Sequence, residues 1–264
     1  MPKGINSISF KFDATDTGHV NLDFITLENV TPPAPTPIPP KVLMSFSYAY
    51  LYGYSDGRAA ADQSLKREEV SATLYRLLKQ TGKTAGFVKP ATSDFSDIET
   101  NRWSYNAIEY MVRIGAISIS KKVYPQAPIT RGETAKLIAI SMNLKYSIDE
   151  TKKFSDLDSS NQYYEYMMDL INAGLMQGYP DGSAHPDGIL TRAEYVTIIN
   201  RMIGRDETYN VDSVKNQYPD LSADHWAFKE IQRASYGFSD SVDANGYYNI
   251  DPTKKLPREQ IDLN

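Results

Sequence analysis

Along most of the chain the apolar positions recur at intervals of three and four, the spacing of a helix that buries one face. Ala107, Ile108, Met111 and Ile114 form such a stripe in the segment that opens at Trp103. Leu137, Ile138 and Met142 form another, and Val196, Ile199, Met202 and Ile203 a third. Gly115, Gly174 and Gly237 stand where the segments opening at Trp103, Tyr164 and Trp226 should end, because glycine takes a left-handed helix-ending turn without steric penalty. Residues 5–30 follow a different period. Asn6, Ile8, Phe10 and Phe12 alternate with Ile5, Ser7, Ser9 and Lys11, and after Gly18 the residues Val20, Leu22 and Phe24 alternate likewise. That period of two predicts two antiparallel strands joined by an Asp/Thr/Gly turn. Two strands alone are marginal in water, so residues 1–30 read as the end of a larger β-sandwich. Residues 31–41 hold six prolines and predict a semi-rigid polyproline spacer, hence a domain boundary.

The starts of the longer helices carry a recurring signal. In Ile189-Leu190-Thr191-Arg192-Ala193-Glu194 a threonine precedes a glutamate by three positions, ahead of an apolar run. This is a capping box: the hydroxyl of Thr191 accepts the amide of Glu194, and the carboxylate reaches back to the amide of Thr191. Thr130 and Glu133 repeat it in Ile129-Thr130-Arg131-Gly132-Glu133, Leu65-Lys66-Arg67-Glu68-Glu69 is a looser copy, and Leu256-Pro257-Arg258-Glu259-Gln260 a fourth. The arginines lie 64, 61 and 66 positions apart, the mark of a repeat protein. A cation in the first helical turn opposes the helix dipole and needs a reason. One is an anion held by the guanidinium and free helix amides. The other is an acidic neighbour that the arginine pairs with, so that it only pins the repeat.

The remaining parts align in the same order. Phe95-Ser96-Asp97-Ile98, Phe154-Ser155-Asp156-Leu157 and Tyr218-Pro219-Asp220-Leu221 each precede an aromatic residue, Trp103, Tyr164 and Trp226. Gly53-Tyr54-Ser55-Asp56-Gly57 and Gly178-Tyr179-Pro180-Asp181-Gly182 read as turns ahead of the second helix. This succession resembles the S-layer homology domain of bacterial surface proteins over about residues 42–262. The resemblance implies a mainly α fold, a pseudo-threefold array of helix-loop-helix repeats around a central helix bundle. It also implies grooves between repeats that bind anionic, commonly pyruvylated, secondary cell-wall polysaccharide of peptidoglycan, with Arg67, Arg131, Arg192, Trp103, Tyr164 and Trp226 in the glycan-binding positions. The strand texture of residues 1–30 resembles the last strands of extracellular cohesin-like or Ig-like modules. Under this reading residues 42–90 are an incomplete first repeat, 91–150 the second, 151–215 the third, and 216–264 a partial repeat that closes the array.

The copies are unequal. The first lacks a Phe-x-Asp opening and has Lys66 in place of the capping threonine, and the second replaces the glycine turn by Ser118 to Pro125. A first repeat without its opening helix would leave Val70, Leu74 and Leu77 uncovered, so the segment from Trp226 to Ala234 is expected to pack near the helix starting at Arg67. Trp103 and Trp226 share the phase of core residues, which predicts largely buried rings with an edge lining a groove. Replacing Arg131 or Arg192 is expected to affect binding rather than folding.

Composition narrows the function. The 264 residues are 41% hydrophobic and 23% charged, ordinary for a globular chain, and the net charge of -5 argues against nucleic acid as a partner. There is no cysteine, so disulfides and thiolate metal sites are excluded. Nineteen tyrosines supply rings that can stack on sugars, although most should serve in packing. No apolar run of about 18 residues is present to span a membrane. The first 30 residues lack the pattern of a signal peptide, so an export signal would lie outside this chain. Counting an EF-hand loop from Asp56 puts Arg58 and Ala60 at early ligand positions, and from Asp181 it puts Ser183 and His185 there, so calcium loops fail. His19, His185 and His225 sit in separate segments without metal spacing, and no nucleophile elbow or phosphate loop appears. Glu68-Glu69 reads as a solvated helix start rather than an acid/base pair. The expectation is a non-catalytic module without cofactor or metal, extracellular, tethering upstream surface or enzyme modules of the same polypeptide to the bacterial wall. The alternative is a structural or interaction module whose repeats no longer bind glycan.

Overall fold

A computed structural model describes residues 46–118, 121–145 and 152–255. The chain divides into two compact units, Met1–Thr36 and Pro37–Asn264, and every described residue belongs to the second. The strands expected in residues 5–30, the spacer at 31–41 and the fourth motif copy, Leu256 to Gln260, lie outside the described residues.

The described part is mainly helical. Long helices α1 (Arg67–Gln80), α3 (Arg131–Met142) and α5 (Arg192–Met202) alternate with short helices α2 (Tyr105–Arg113), α4 (Tyr164–Asn172) and α6 (Phe228–Ser235). A hairpin of β1 (Phe238–Val242) and β2 (Tyr248–Ile250) follows. Each long helix packs on the short helix after it: α1 on α2, α3 on α4, α5 on α6, with α1 also against α3. The predicted stripes face this core, where Ile108, Met111, Ile138, Val196 and Ile199 are wholly buried.

The capping boxes form as the sequence requires. Thr130 Oγ1 accepts the Glu133 amide at 3.1 Å and Glu133 returns to the Thr130 amide at 3.1 Å. Thr191 and Glu194 do the same at 3.3 and 2.8 Å. At α1 only half of the box exists. Glu69 accepts the Lys66 amide at 2.8 Å, but an ammonium side chain has no lone pair with which to take the third helical amide.

The other helix-start amides are satisfied across repeats. Leu65 donates to the Leu190 carbonyl, Leu190 to Ile129 and Ile129 to Leu65, a closed cycle of three backbone bonds of 3.1, 3.0 and 2.9 Å between buried residues. The amides of Arg67, Arg131 and Arg192 then donate to the carbonyls of Ala127, Gly188 and Gln63, and those of Glu68, Gly132 and Ala193 to Pro125, Pro186 and Ala61. Each long helix thus begins on the loop of another repeat.

Those loops are held by the aspartates of the aromatic-x-Asp motifs. Asp97 accepts the amides of Val123 and Tyr124, Asp156 those of Ala184 and His185, and Asp220 those of Ala59 and Ala60, all at 2.7 to 2.9 Å. Tyr124, His185 and Ala60 occupy equivalent places at φ of 48°, 49° and 51°, a left-handed conformation that costs a non-glycine residue about 1 kcal/mol. The carboxylate offsets that cost by gathering two adjacent amides. In two loops the aspartate is nearby in sequence. Asp220 instead reaches back over 160 positions to the first loop.

Two expectations about the chain's ends need correction. The helix beginning near Trp226 packs chiefly on α5, and the early segment joins it through main-chain bonds, with Tyr50 and Leu51 both donating to the Ala234 carbonyl at 3.0 Å. The apolar face of α1 is covered instead by α2 and α3, leaving Val70, Leu74 and Leu77 with no exposure. Gly237 does not end its helix as Gly115 (φ 79°) and Gly174 (φ 72°) do. It has no positive φ, and a side chain there would collide with the Lys254 backbone. Residues 46–48 are pinned to the same region by Arg205, a buried guanidinium that donates to the carbonyls of Phe46, Tyr48, Arg233 and Tyr236.

Removing one capping hydroxyl should cost about 1 kcal/mol. Thr130→Ala and Thr191→Ala are each expected to lower the urea midpoint accordingly, and Lys66→Thr, which completes the α1 box, to raise it. The Asp220 contact also sets an acid limit. Burial pushes its carboxyl pKa up, but the Ala59 and Ala60 amides outweigh burial and hold it below the ordinary value. A depressed carboxylate contributes stability above its unfolded pKa and loses it as pH falls through the folded value. Urea midpoints should therefore be flat from about pH 5 to 8 and fall below about pH 4, and Asp220→Ala should cost about 2 kcal/mol at neutral pH. A midpoint for Asp220→Ala equal to the parent's would contradict the clamp.

Candidate functional site

Three cavities lie beside the motif arginines. The first, of about 290 Å³, is lined by Arg192, Tyr52, Tyr54, Glu69, Arg76 and Trp103 among others. The second, of about 240 Å³, includes Arg67, Lys122, Tyr124, Glu133, Lys136 and Tyr163. The smallest, of about 130 Å³, includes Arg131, Gln177, Glu194, Arg201 and Trp226. Each combines one motif arginine, the capping glutamate of a different long helix and an aromatic ring from just before or at the start of a short helix. Sugars need this mixture: a flat apolar face to stack on and charged or polar groups at the rim.

The arginines are not equally free. Arg67 donates to the carbonyls of Val123 and Tyr124 at 2.7 and 3.1 Å and pairs with Glu133 at 2.6 Å. Arg131 is 5% exposed, donates to the Ala184 and Gln177 carbonyls at 3.0 and 2.7 Å, and lies 3.6 Å from Glu194. Arg192 donates to the Tyr52 carbonyl at 2.7 Å and sits 4.8 Å from the centre of the Tyr54 ring. It has no ion pair among the described residues. Glu69, in the position of Glu133 and Glu194, is instead engaged by the Tyr54 hydroxyl and the Lys66 amide, each at 2.8 Å. Burial pushes the Tyr54 phenol up to about 12, so it stays a neutral donor to that carboxylate. In all three helices the first two amides are already spent on carbonyls. The anion-at-helix-terminus reading of the sequence therefore loses its amide half, and the guanidinium alone remains to attract charge.

The aromatic residues depart from expectation. Trp103 is 42% and Trp226 62% exposed, so neither ring is largely buried. Both lie two positions before their helices, on the turns closed by Tyr105 onto Arg102 and by Phe228 onto His225. There the backbone no longer follows the helical phase from which burial was inferred. The matching turn of the third repeat, Tyr164 onto Asn161, puts Gln162 in the tryptophan position. Tyr164 is the first residue of α4 and packs against the core, while Tyr163 reaches the cavity. Glu68, expected to be solvated, is 2% exposed and held by Arg102 at 2.7 and 2.9 Å and by the Ser104 hydroxyl at 2.7 Å. Arg76 and Arg201 were not singled out by sequence, although both follow a motif arginine by nine positions, a signal that aligning the repeats would reveal.

No group of three or more His, Cys, Asp or Glu that could hold a metal occurs among the described residues. His185 lies 3.4 Å from Asp156 and 4.0 Å from Asp181, and His225 3.0 Å from Asp62.

The arginine geometry changes the expected mutational pattern. Arg131→Ala removes a buried cation from two carbonyls and should cost about 2 to 3 kcal/mol, whereas the more exposed Arg192→Ala should cost about 1 kcal/mol. Equal denaturation midpoints for the two variants would contradict this assignment.

Comparison with known proteins agrees with the repeat pattern. Residues 153–196 match the S-layer homology domain model. The chain is 27% identical over 196 residues to cell surface glycoprotein 1 of Acetivibrio thermocellus, covering 69% of this chain and 8% of that protein. It is 25% identical over 202 residues to the cellulosome-anchoring protein of the same organism, 74% of this chain and 44% of that one. It is 28% identical over 159 residues to an S-layer protein of Bacillus thuringiensis subsp. finitimus, 58% of this chain and 18% of that protein. The chain thus spans less than half the length of these relatives. With its own motif order, the chain resembles surface proteins of this kind, and residues 153–196 carry the match to the S-layer homology domain.

Proposed function

We propose that this chain is a non-catalytic module that anchors a surface protein to the bacterial cell wall by binding anionic, pyruvylated secondary wall polysaccharide in the clefts beside the motif arginines. The observation that carries the reading is Trp103, whose ring is 42% exposed beside a cavity that also holds Arg192. An exposed indole is a costly surface unless something stacks on it, and a guanidinium next to it selects for an acidic substituent. The relatives named for the cell surface, for cellulosome anchoring and for the S-layer support the same reading. The cyclic backbone bonds among residues 65, 129 and 190 support a pseudo-threefold array, and the bonds of Asp220 to the Ala59 and Ala60 amides support residues 216 onward as the part that completes the first repeat. Upstream modules would ride on this anchor.

A second reading has its own observation. Arg67 and Arg131 each have a carboxylate within ion-pair distance, at 2.6 and 3.6 Å, as expected if those two arginines hold repeats together. A module in which all three clefts were closed in this way would be a scaffold without glycan affinity.

Co-sedimentation with purified wall sacculi separates the two readings. Retention should be lost when the polysaccharide is stripped from the sacculi and weakened about tenfold by Arg192→Ala, the loss of one charge-assisted bond. Both tryptophans of the chain lie at clefts, so added polysaccharide should also protect their fluorescence from acrylamide. Equal retention on stripped and unstripped sacculi would leave the scaffold reading.

A further inference from the structure

Glu68, Gly132 and Ala193 are the second residues of α1, α3 and α5. Aligning the repeats sets each of them beside one residue of the turn before the next short helix: Ser104, Tyr163 and Ala227. The three pairs differ in kind. A β-carbon at Gly132 would lie 2.4 Å from the Tyr163 ring, so that ring needs the glycine. Ala193 and Ala227 are two small residues without exposure. Glu68 is 2% exposed and Ser104 wholly buried, and the Ser104 hydroxyl donates to the Glu68 carboxylate at 2.7 Å. Arg102 adds two bonds to the same carboxylate, at 2.7 and 2.9 Å. Both residues that flank Trp103 are thus tied to one side chain of α1, while the indole between them stays 42% exposed beside the Arg192 cavity.

We propose that Glu68 is the positioning residue of Trp103: by gathering Arg102 and Ser104 it fixes the turn between them and so holds the indole out over the cleft of Arg192. Trp103 precedes α2 by two residues, so the helix ladder does not set its direction. The main chain contributes the turn bond from the Tyr105 amide to the Arg102 carbonyl at 2.9 Å. The carboxylate supplies the rest. Moving either flanking residue would strip a donor from a buried charge, which is a costly change. An exposed ring held in place before a ligand arrives does not have to be ordered at the moment of binding. Trp226 is presented by other means, because His225 ahead of it bonds Asp62 at 3.0 Å and takes the Ala227 amide at 3.1 Å. The two exposed indoles therefore depend on different partners, and a change at Glu68 should reach one of them alone. The effect on wall retention rests on the wall-binding reading, but the positioning of the ring does not.

The chain has two tryptophans, so its nitrogen-15 spectrum holds two indole N–H signals, which Trp226→Phe assigns. In Glu68→Gln the order parameter of the Trp103 indole should fall from the rigid range, about 0.85, to below about 0.6, with the Trp226 signal unmoved. Retention on sacculi should weaken about fivefold, the entropy of one side chain that must then be ordered on binding. In a Trp103→Ala chain, Glu68→Gln should weaken retention no further, because Glu68 acts through that ring. Arg102→Lys keeps the charge but cannot span both oxygens, so it should loosen Trp103 by less, and it decides the matter if Glu68→Gln does not fold. An unmoved Trp103 signal, equal loosening of both indoles, or an undiminished effect of Glu68→Gln in the Trp103→Ala chain would overturn the assignment. Sacculi that fail to retain the parent chain would count against wall binding alone, since the order parameters still show whether Glu68 holds Trp103.

Discussion

The structure depends on one requirement, that the first amides of a helix find acceptors. In α3 and α5 a capping threonine takes the third helical amide and in α1 the Lys66 carbonyl does, while the first two amides are satisfied by carbonyls of another repeat. A single repeat would therefore leave a helix start without acceptors and an apolar stripe without cover. Neither fault can be mended locally, so the repeats fold as a set. The cycle through Leu65, Ile129 and Leu190 joins all three long-helix starts, and a change at one is felt at the others.

That requirement also explains why the loops need their aspartates. To present carbonyls to a neighbouring helix, each loop turns through a left-handed residue, Ala60, Tyr124 or His185, none of which is a glycine. Asp220, Asp97 and Asp156 hold those turns by charge-assisted bonds to paired amides. For the first loop the aspartate comes from the far end of the sequence, so contact order is high where local capping would have been cheap. Arg205 adds a second long-range tie to the same early segment. It is buried to 2% exposure and compensated by four carbonyls rather than a carboxylate, with the Tyr50 and Phe238 rings at 5.5 and 5.2 Å. Burial lowers its pKa to about 10, still far above neutrality, so it remains charged.

The helices, the two full capping boxes and the order of motifs were legible in the sequence because each rests on local chemistry: period, cap residue, turn glycine. What could not be read there was the direction of side chains on irregular backbone. Trp103 and Trp226 were placed by extending the helical phase two residues beyond where the helix begins. Tyr164 is the aromatic residue that follows its motif, but the turn at Asn161 puts Gln162, two positions earlier, in the tryptophan's place. Glu68 looked like one of many surface acids, and only the approach of Arg102 and Ser104 from the next repeat makes it a buried partner. The hairpin of β1 and β2 falls within residues 216–264, which the motifs mark only as a partial repeat. Glu68 alone among these is a contact between repeats, where residue spacing carries no information about neighbours; the others lie on turns outside the helical phase.

The candidate site follows from the same geometry. A motif arginine projects from a helix start that rests on a neighbouring loop, so its guanidinium must enter the cleft between two repeats. What it meets there is decided by the capping glutamate of the neighbouring helix. Where threonine caps, Glu133 and Glu194 lie close enough to pair with the incoming arginine. At α1 the capping residue is Lys66, Tyr54 donates to Glu69 as Tyr179 does to Glu194, each at 2.8 Å, and Arg192 has no carboxylate within ion-pair distance among the described residues. The chain carries a net charge of -5, which at physiological salt is screened beyond roughly 8 Å. An acidic ligand is thus only weakly repelled at a distance, and what it meets on arrival is set by the charges that line each cleft.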